Sequence, residues 1–114
     1  MRREEAYLLD ILIAARKVVQ FTQGATREDF QKNEMLHSAV VRQLEIIGEA
    51  TRNVSQATQD ANPTIPWIAM LGLRNLLIHQ YFRINLQRLW EISQISVPDL
   101  IAKIEPLVPP EEAV

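Results

Sequence analysis

Apolar side chains recur along this chain at spacings of three and four, a period that admits helices and excludes strands as its main element. Leu8, Ile11, Leu12, Ala15, Val18, Val19 and Thr22 form one stripe and predict an amphipathic helix over roughly 3–23, ended near Gly24. Thr26 and Asp29 have capping-box spacing and predict a short helical turn through Gln31. A second stripe, from Leu36 through Val40, Leu44 and Ile47 to Val54, predicts a helix over 33–57. Gly48 lies inside it, where glycine costs about 1 kcal/mol relative to alanine unless close packing requires it. Pro63 and Pro66 mark a loop, and Pro66 suits the first turn of a helix over 66–80. Asn85 is placed to cap a last helix carrying Leu86, Leu89, Trp90, Ile92 and Ile95. Pro98 should kink or break that helix before Leu100, Ile101 and Ile104 resume its stripe. No alternating pattern and no Asn-Gly or Asp-Gly hairpin signal occurs, so the expected fold is an all-α, antiparallel helical bundle.

With 114 residues, 47% of them hydrophobic and 23% charged, the chain suits one globular domain, taken as 1–108, with 109–114 as a frayed tail. It has no cysteine, which excludes disulfides, thiolate nucleophiles and cysteine-based zinc sites. Its two histidines, His37 and His79, are too few for a clustered imidazole metal site. The net charge of −2 predicts no wholesale attraction to nucleic acid or membrane. Charge is nonetheless uneven: between Ala61 and Trp90 there is no acid, while Arg74, Arg83 and Arg88 supply three positive charges. The opening Met1-Arg2-Arg3-Glu4-Glu5 lacks an export-signal pattern, and no apolar run is long enough to span a membrane. The expectation is a cytoplasmic protein.

The helix over 66–80 differs from the others. Ile68, Met70, Leu71, Leu73, Leu76, Leu77 and Ile78 surround most of its circumference, so it needs cover on more than one side. In so small a bundle a second subunit is the expected cover. The same helix carries Arg74, Asn75 and His79, with Tyr81 just beyond. At about 100° per residue, Arg74 and His79 stand about 140° apart around the axis, whereas Asn75 and His79 share a stripe. Geometry alone leaves two readings open. One is a hydrogen-bonded Asn–His plug with a surface arginine and a core tyrosine. The other is a site in which a histidine moves protons and an arginine stabilises phosphorane charge, that is, metal-free phosphodiester cleavage. His37, beside Leu36 on another helix, is expected to be a packing or surface residue.

Arg74-Asn75, three residues, then His79-Gln80-Tyr81 resembles the R-x4-H-x-Y signature of the HepT-like branch of the HEPN superfamily. Leu44-Glu45-Ile46-Ile47-Gly48-Glu49-Ala50 is similar to a Gly-Glu-Ala helix of that family, Ile65-Pro66-Trp67 to the entry of its motif helix, and Leu89-Trp90-Glu91 to the segment that follows. The resemblance runs from about Tyr7 to Leu107. It implies a metal-independent endoribonuclease toxin of a type VII-like toxin–antitoxin module, needing no cofactor and acting on RNA as a homodimer. Its implied partner is a minimal nucleotidyltransferase antitoxin (MNT type) that adenylylates the motif tyrosine. Carried over to this chain, Arg74 and His79 are catalytic, Asn75 supports them and Tyr81 is the modification target. Arg83 and Arg88 are further candidate RNA contacts. A dimer fits the proton arithmetic, because 2′-hydroxyl attack needs a base and an acid and each protomer's motif holds one histidine. The alternative is a non-catalytic helical accessory that binds a nucleotidyltransferase and positions its substrate.

Overall fold

Two long helices carry the predicted stripes, α1 (Glu4–Thr22) and α3 (Glu34–Thr51), joined through the short α2 (Arg27–Lys32). The computed structural model describes residues 2–79 and 85–110, apart from the side chains of Leu76, Ile78 and His79. Gly24, at φ 78°, makes the left-handed turn that ends α1. The Thr26 hydroxyl accepts from the Asp29 N–H at 3.1 Å and the Asp29 carboxylate accepts from the Thr26 N–H at 3.0 Å, completing the capping box of α2. Asn33 caps α3 by accepting from the Leu36 N–H at 3.0 Å.

The chain continues through α4 (Gln56–Ala61), α5 (Trp67–His79), α6 (Leu86–Glu91), a wide π turn (Ile92–Ser96), α7 (Val97–Ile104) and a closing 3-10 turn (Glu105–Leu107). Among the described residues there is no strand, and no helix is long and apolar enough to cross a membrane. The architecture is the expected all-α bundle. α3 packs against both α1 and α5, α7 packs against α1, and α3, α5 and α7 border one groove. Glu4, at the start of α1, bonds Ser55 just past the end of α3, so these two helices run antiparallel. Arg16 meets Glu105 at 3.2 Å and Thr22 meets Gln94 at 3.1 Å, which sets α7 antiparallel to α1 as well. Ile11, Val18, Phe30, Val40, Ile47 and Ile104 are all at 0% exposure and form the core, each contributing about 1.5–3 kcal/mol through its burial.

Two helix limits differ from expectation. The helix predicted over 33–57 stops at Thr51, and residues 56–61 form a separate helix. Asn53 donates its amide to the Glu49 carbonyl at 3.3 Å, ending the first helix, and Ser55 starts the second by accepting from the Thr58 N–H at 3.2 Å. Pro98 does not break the last helix. The turn before it widens, so that the Val97 N–H bonds the Ile92 carbonyl five residues back, and helix resumes with Pro98 in its first turn, where no N–H is needed. Asn85 caps α6 as predicted, accepting from the Arg88 N–H at 3.1 Å. Gln80, the last residue of the predicted motif helix, and residues 111–114 of the predicted tail lie outside the described residues.

Glu4 ties the start of α1 to the cap of α4, accepting from the Ser55 N–H and, at 2.9 Å, from the Thr58 hydroxyl. The Ser55 backbone bond chiefly holds its carboxyl below the usual carboxylate range, and the Thr26 backbone does the same for Asp29. Both groups have folded-state pKa values below their unfolded ones. Their stabilisation is therefore complete above the ordinary carboxylate range and lost as pH falls through the depressed values. Thermal melts by circular dichroism should show stability falling from neutral pH to about pH 3, and Glu4→Gln should flatten that fall.

Candidate active site

α5 owes its position to one packed stripe. Trp67, Met70 and Leu77 are buried against α3 and the core, and the Trp67 indole N–H donates to the Asn62 carbonyl at 2.9 Å, fixing the entry of the helix. The two backbones approach closely at Gly48. A Cβ there would stand 3.1 Å from the Met70 carbonyl oxygen and 3.4 Å from the Arg74 nitrogen. This approach supplies the packing that glycine in mid-helix requires, and it brings α3 within reach of the motif arginine.

Arg74 follows Met70 by one turn and emerges at the edge of the packed stripe, half-exposed. Its guanidinium faces Glu49, the residue after Gly48, at 3.7 Å, and Glu49 also faces Arg52 at 3.7 Å. The carboxylate is thus shared between two arginines in solvent, a loose hold rather than a lock. Asn75 is exposed on the outer face of α5. His79 is the last residue of α5, about 7.5 Å along the axis from Arg74 and about 140° around it. Its imidazole, together with the whole of Tyr81 and Arg83, lies outside the described residues. Arg88 is exposed on α6 and lines an apolar groove with Ala69, Gly72 and Leu73, while Arg74 lines a charged cleft on the other flank of α5. The structure therefore does not bring Arg88 to Arg74. His37 sits half-buried with its ring 5.0 Å from that of Phe30 and a ring nitrogen on the Phe30 carbonyl, the packing role expected of it.

The charged cleft encloses about 380 Å³ between the first turns of α1, the second half of α3 and Arg74. Arg2, Tyr7, Asp10, Arg42, Glu45 and Glu49 line it. The resemblance pointed to the Gly-Glu-Ala helix without giving Glu49 a task, and the cleft itself was not foreseen. A signal was present: Arg42, Glu45 and Glu49 follow one another at helical spacing on one face of α3, and Asn53 continues the series just past its end.

Gly48→Val should drive α5 away from α3, lowering stability by about 1–3 kcal/mol in urea titration. The Arg74–Glu49 pairing should be lost with it, because the crowded atoms are backbone and cannot swing aside.

The profile of the ribonuclease HepT-like family matches residues 11–107 of this chain. A protein of Methanocaldococcus jannaschii whose name proposes an RNase is 42% identical over 104 residues, covering 91% of this chain and 95% of the relative. One of Thermococcus cleftensis, whose name proposes a ribonuclease HepT, is 38% identical over 106 residues, covering 93% of this chain and 96% of its own. One of Caldanaerobacter subterraneus, again named for an RNase activity, is 33% identical over 112 residues, covering 98% and 100%. No solved structure gives a significant match. The extent of the profile match and these near-full-length identities show that the chain belongs to the HepT-like family of HEPN ribonucleases.

Proposed function

We propose that this chain is a metal-independent endoribonuclease, the toxin of a two-gene module, whose site forms where Arg74 and His79 of two protomers meet. The observation that carries this reading is the outer stripe of α5. Ile68 is 87% exposed, and Leu71, Gly72 and Asn75 are exposed with it. Residues 68, 72, 75 and 79 follow one another at helical spacing, so the stripe runs through Asn75 to the position of His79. A Cβ on Gly72 would meet nothing within 4 Å, so the protomer's own packing does not require glycine there. A second copy laid along this stripe explains both the glycine and the uncovered isoleucine, and it pairs the two His79 positions.

In such a site one His79 takes the 2′-hydroxyl proton as that oxygen attacks the adjacent phosphorus. The partner subunit's His79 protonates the departing 5′-oxygen, leaving a 2′,3′-cyclic phosphate and a 5′-hydroxyl. Arg74 stabilises the charge that develops on the phosphorane oxygens. Asn75, one turn before His79, orients the imidazole. Arg83 is a further contact to the RNA backbone, and Arg88, on the other flank of α5, could reach only RNA that extends beyond the site. A nucleotidyltransferase antitoxin silences the site by adenylylating Tyr81, two residues beyond His79. The added nucleotide places bulk and negative charge where RNA phosphates bind, so occlusion and repulsion inhibit without a conformational switch.

His79→Ala and Arg74→Ala should each lower RNA cleavage by about 10² to 10⁴ while the melting curve and the dimer persist, and wild-type cleavage should survive EDTA. Cleavage undiminished in the His79 variant, or abolished by the chelator, would refute the assignment. Gly72→Arg should leave the protomer folded yet shift sedimentation from dimer to monomer, with cleavage lost in parallel. Tyr81→Phe should still cut RNA but gain no adenylyl mass after co-expression with the antitoxin. An adduct mapped by mass spectrometry to another residue, such as Tyr7, would show that Tyr81 is not the target.

A further inference from the structure

The charged cleft beside Arg74 is built for something other than a phosphate chain. A groove that tracks RNA backbone carries net positive charge. This one balances three guanidiniums, Arg2, Arg42 and Arg74, against three carboxylates, Asp10, Glu45 and Glu49. Four of those six groups engage one another: Arg2 with Asp10 at 2.7 Å, and Arg74 with Glu49 at 3.7 Å. Among the described residues, the side chains of the other two, Arg42 and Glu45, make neither an ion pair nor a hydrogen bond. They stand three residues apart on α3, with Cβ atoms about 5–6 Å from each other. Tyr7 lines the same cleft, and the Arg2 guanidinium lies over its ring, 4.6 Å from the centroid. The ring is half-buried against the core, and a planar cation lying over its face occupies the seat that a planar base would take. The volume of about 380 Å³ suits one nucleotide.

We propose that this cleft is a base subsite that receives a guanine of the RNA substrate next to the phosphate held at Arg74. Guanine alone among the four bases presents both an N1–H and N2–H₂ donor pair for a carboxylate and an O6 and N7 acceptor pair for a guanidinium. Glu45 takes the first edge, Arg42 the second, and the base stacks on Tyr7 after displacing Arg2. Adenine would set its N1 lone pair against Glu45, and uracil and cytosine lack the N7 that completes the contact to Arg42. The subsite rests on the ribonuclease reading above for its substrate, but it recognises a base whether or not the bond is cut.

The test is fluorescence anisotropy with 2′-O-methyl hexamers of uridine bearing one central G, A, C or U, which cannot be cleaved. The wild-type protein should bind the G hexamer about tenfold more tightly than the others. Glu45→Gln, an isostere at the half-buried rim, should erase that preference with an unchanged melting curve. Tyr7→Ala should weaken all four hexamers together, and Tyr7→Phe should restore them. Equal binding of the four hexamers by wild type, or a preference that survives Glu45→Gln, overturns the proposal. So does competition by free 5′-GMP at the affinity of the G hexamer, which would assign the cleft to a soluble nucleotide. An all-ribose G hexamer is assayed for cleavage in parallel. If it is bound with the G preference but left uncut, the ribonuclease reading fails and the subsite stands. If it is cut without base preference in binding, only the subsite fails.

Discussion

The close approach of α3 and α5 at Gly48 is the constraint on which the rest depends. Backbone meets side-chain-free backbone there, so a contact of 3.1 Å from a Cβ position to a carbonyl oxygen leaves no flexible atom to yield. The contact fixes the axial setting of α5 on α3. That setting decides that Met70 and Leu77 face inward, that Arg74 emerges beside Glu49, and that Ile68, Gly72 and Asn75 face outward. One glycine thereby settles which residues are core, which line the cleft and which are left for a second copy. Mid-helix glycine lowers the intrinsic stability of α3, and the energy returns as buried surface on two helices.

Most of the fold is legible in the residues because burial and period agree. The stripes of α1 and α3, the Thr26–Asp29 box, the Gly24 stop and the Asn85 cap all appear where local chemistry puts them. Where the sequence reading overran, a long-range partner decided. Nothing near Thr51 signals a helix end as strongly as Asn53 turning back on Glu49 and Glu4 seizing the Ser55 N–H, and Glu4 is 51 residues away. Pro98 distorts its helix, as expected, but does not break it. Its missing N–H has to be accommodated, and the chain chose a wider turn over a break because the flanking apolar residues were worth keeping in the core.

The candidate site was legible in its identities but not in its surroundings. Arg74 and Asn75 lie on α5 as expected, and His79 closes that helix. The carboxylate that holds Arg74 comes from another helix, 25 residues earlier, and only the fold could reveal it. The hold is weak because both partners are half in water and Glu49 is shared with Arg52. An incoming phosphodiester, with a full negative charge to offer against a carboxylate divided between two arginines, can draw Arg74 away at little cost. The arginine is kept extended and oriented in the resting protein without being committed.

The wide turn before Pro98 has a meaning for chain length. In an α-helix a residue five positions on stands about 140° away, so Val97, Leu100 and Ile104 would leave the face shared by Leu89 and Ile92. The π turn stacks Val97 over Ile92 instead, and all five remain buried. The segment thus carries one residue more than an α-helix of that phase requires, and the surplus is stored in a single exposed bulge at Gln94–Ser96. Such a helix works as a vernier. It lets the two ends of one rod be set in phase with different neighbours, α2 at one end and α1 at the other, and it marks the place where the chain could shed a residue and stay in step.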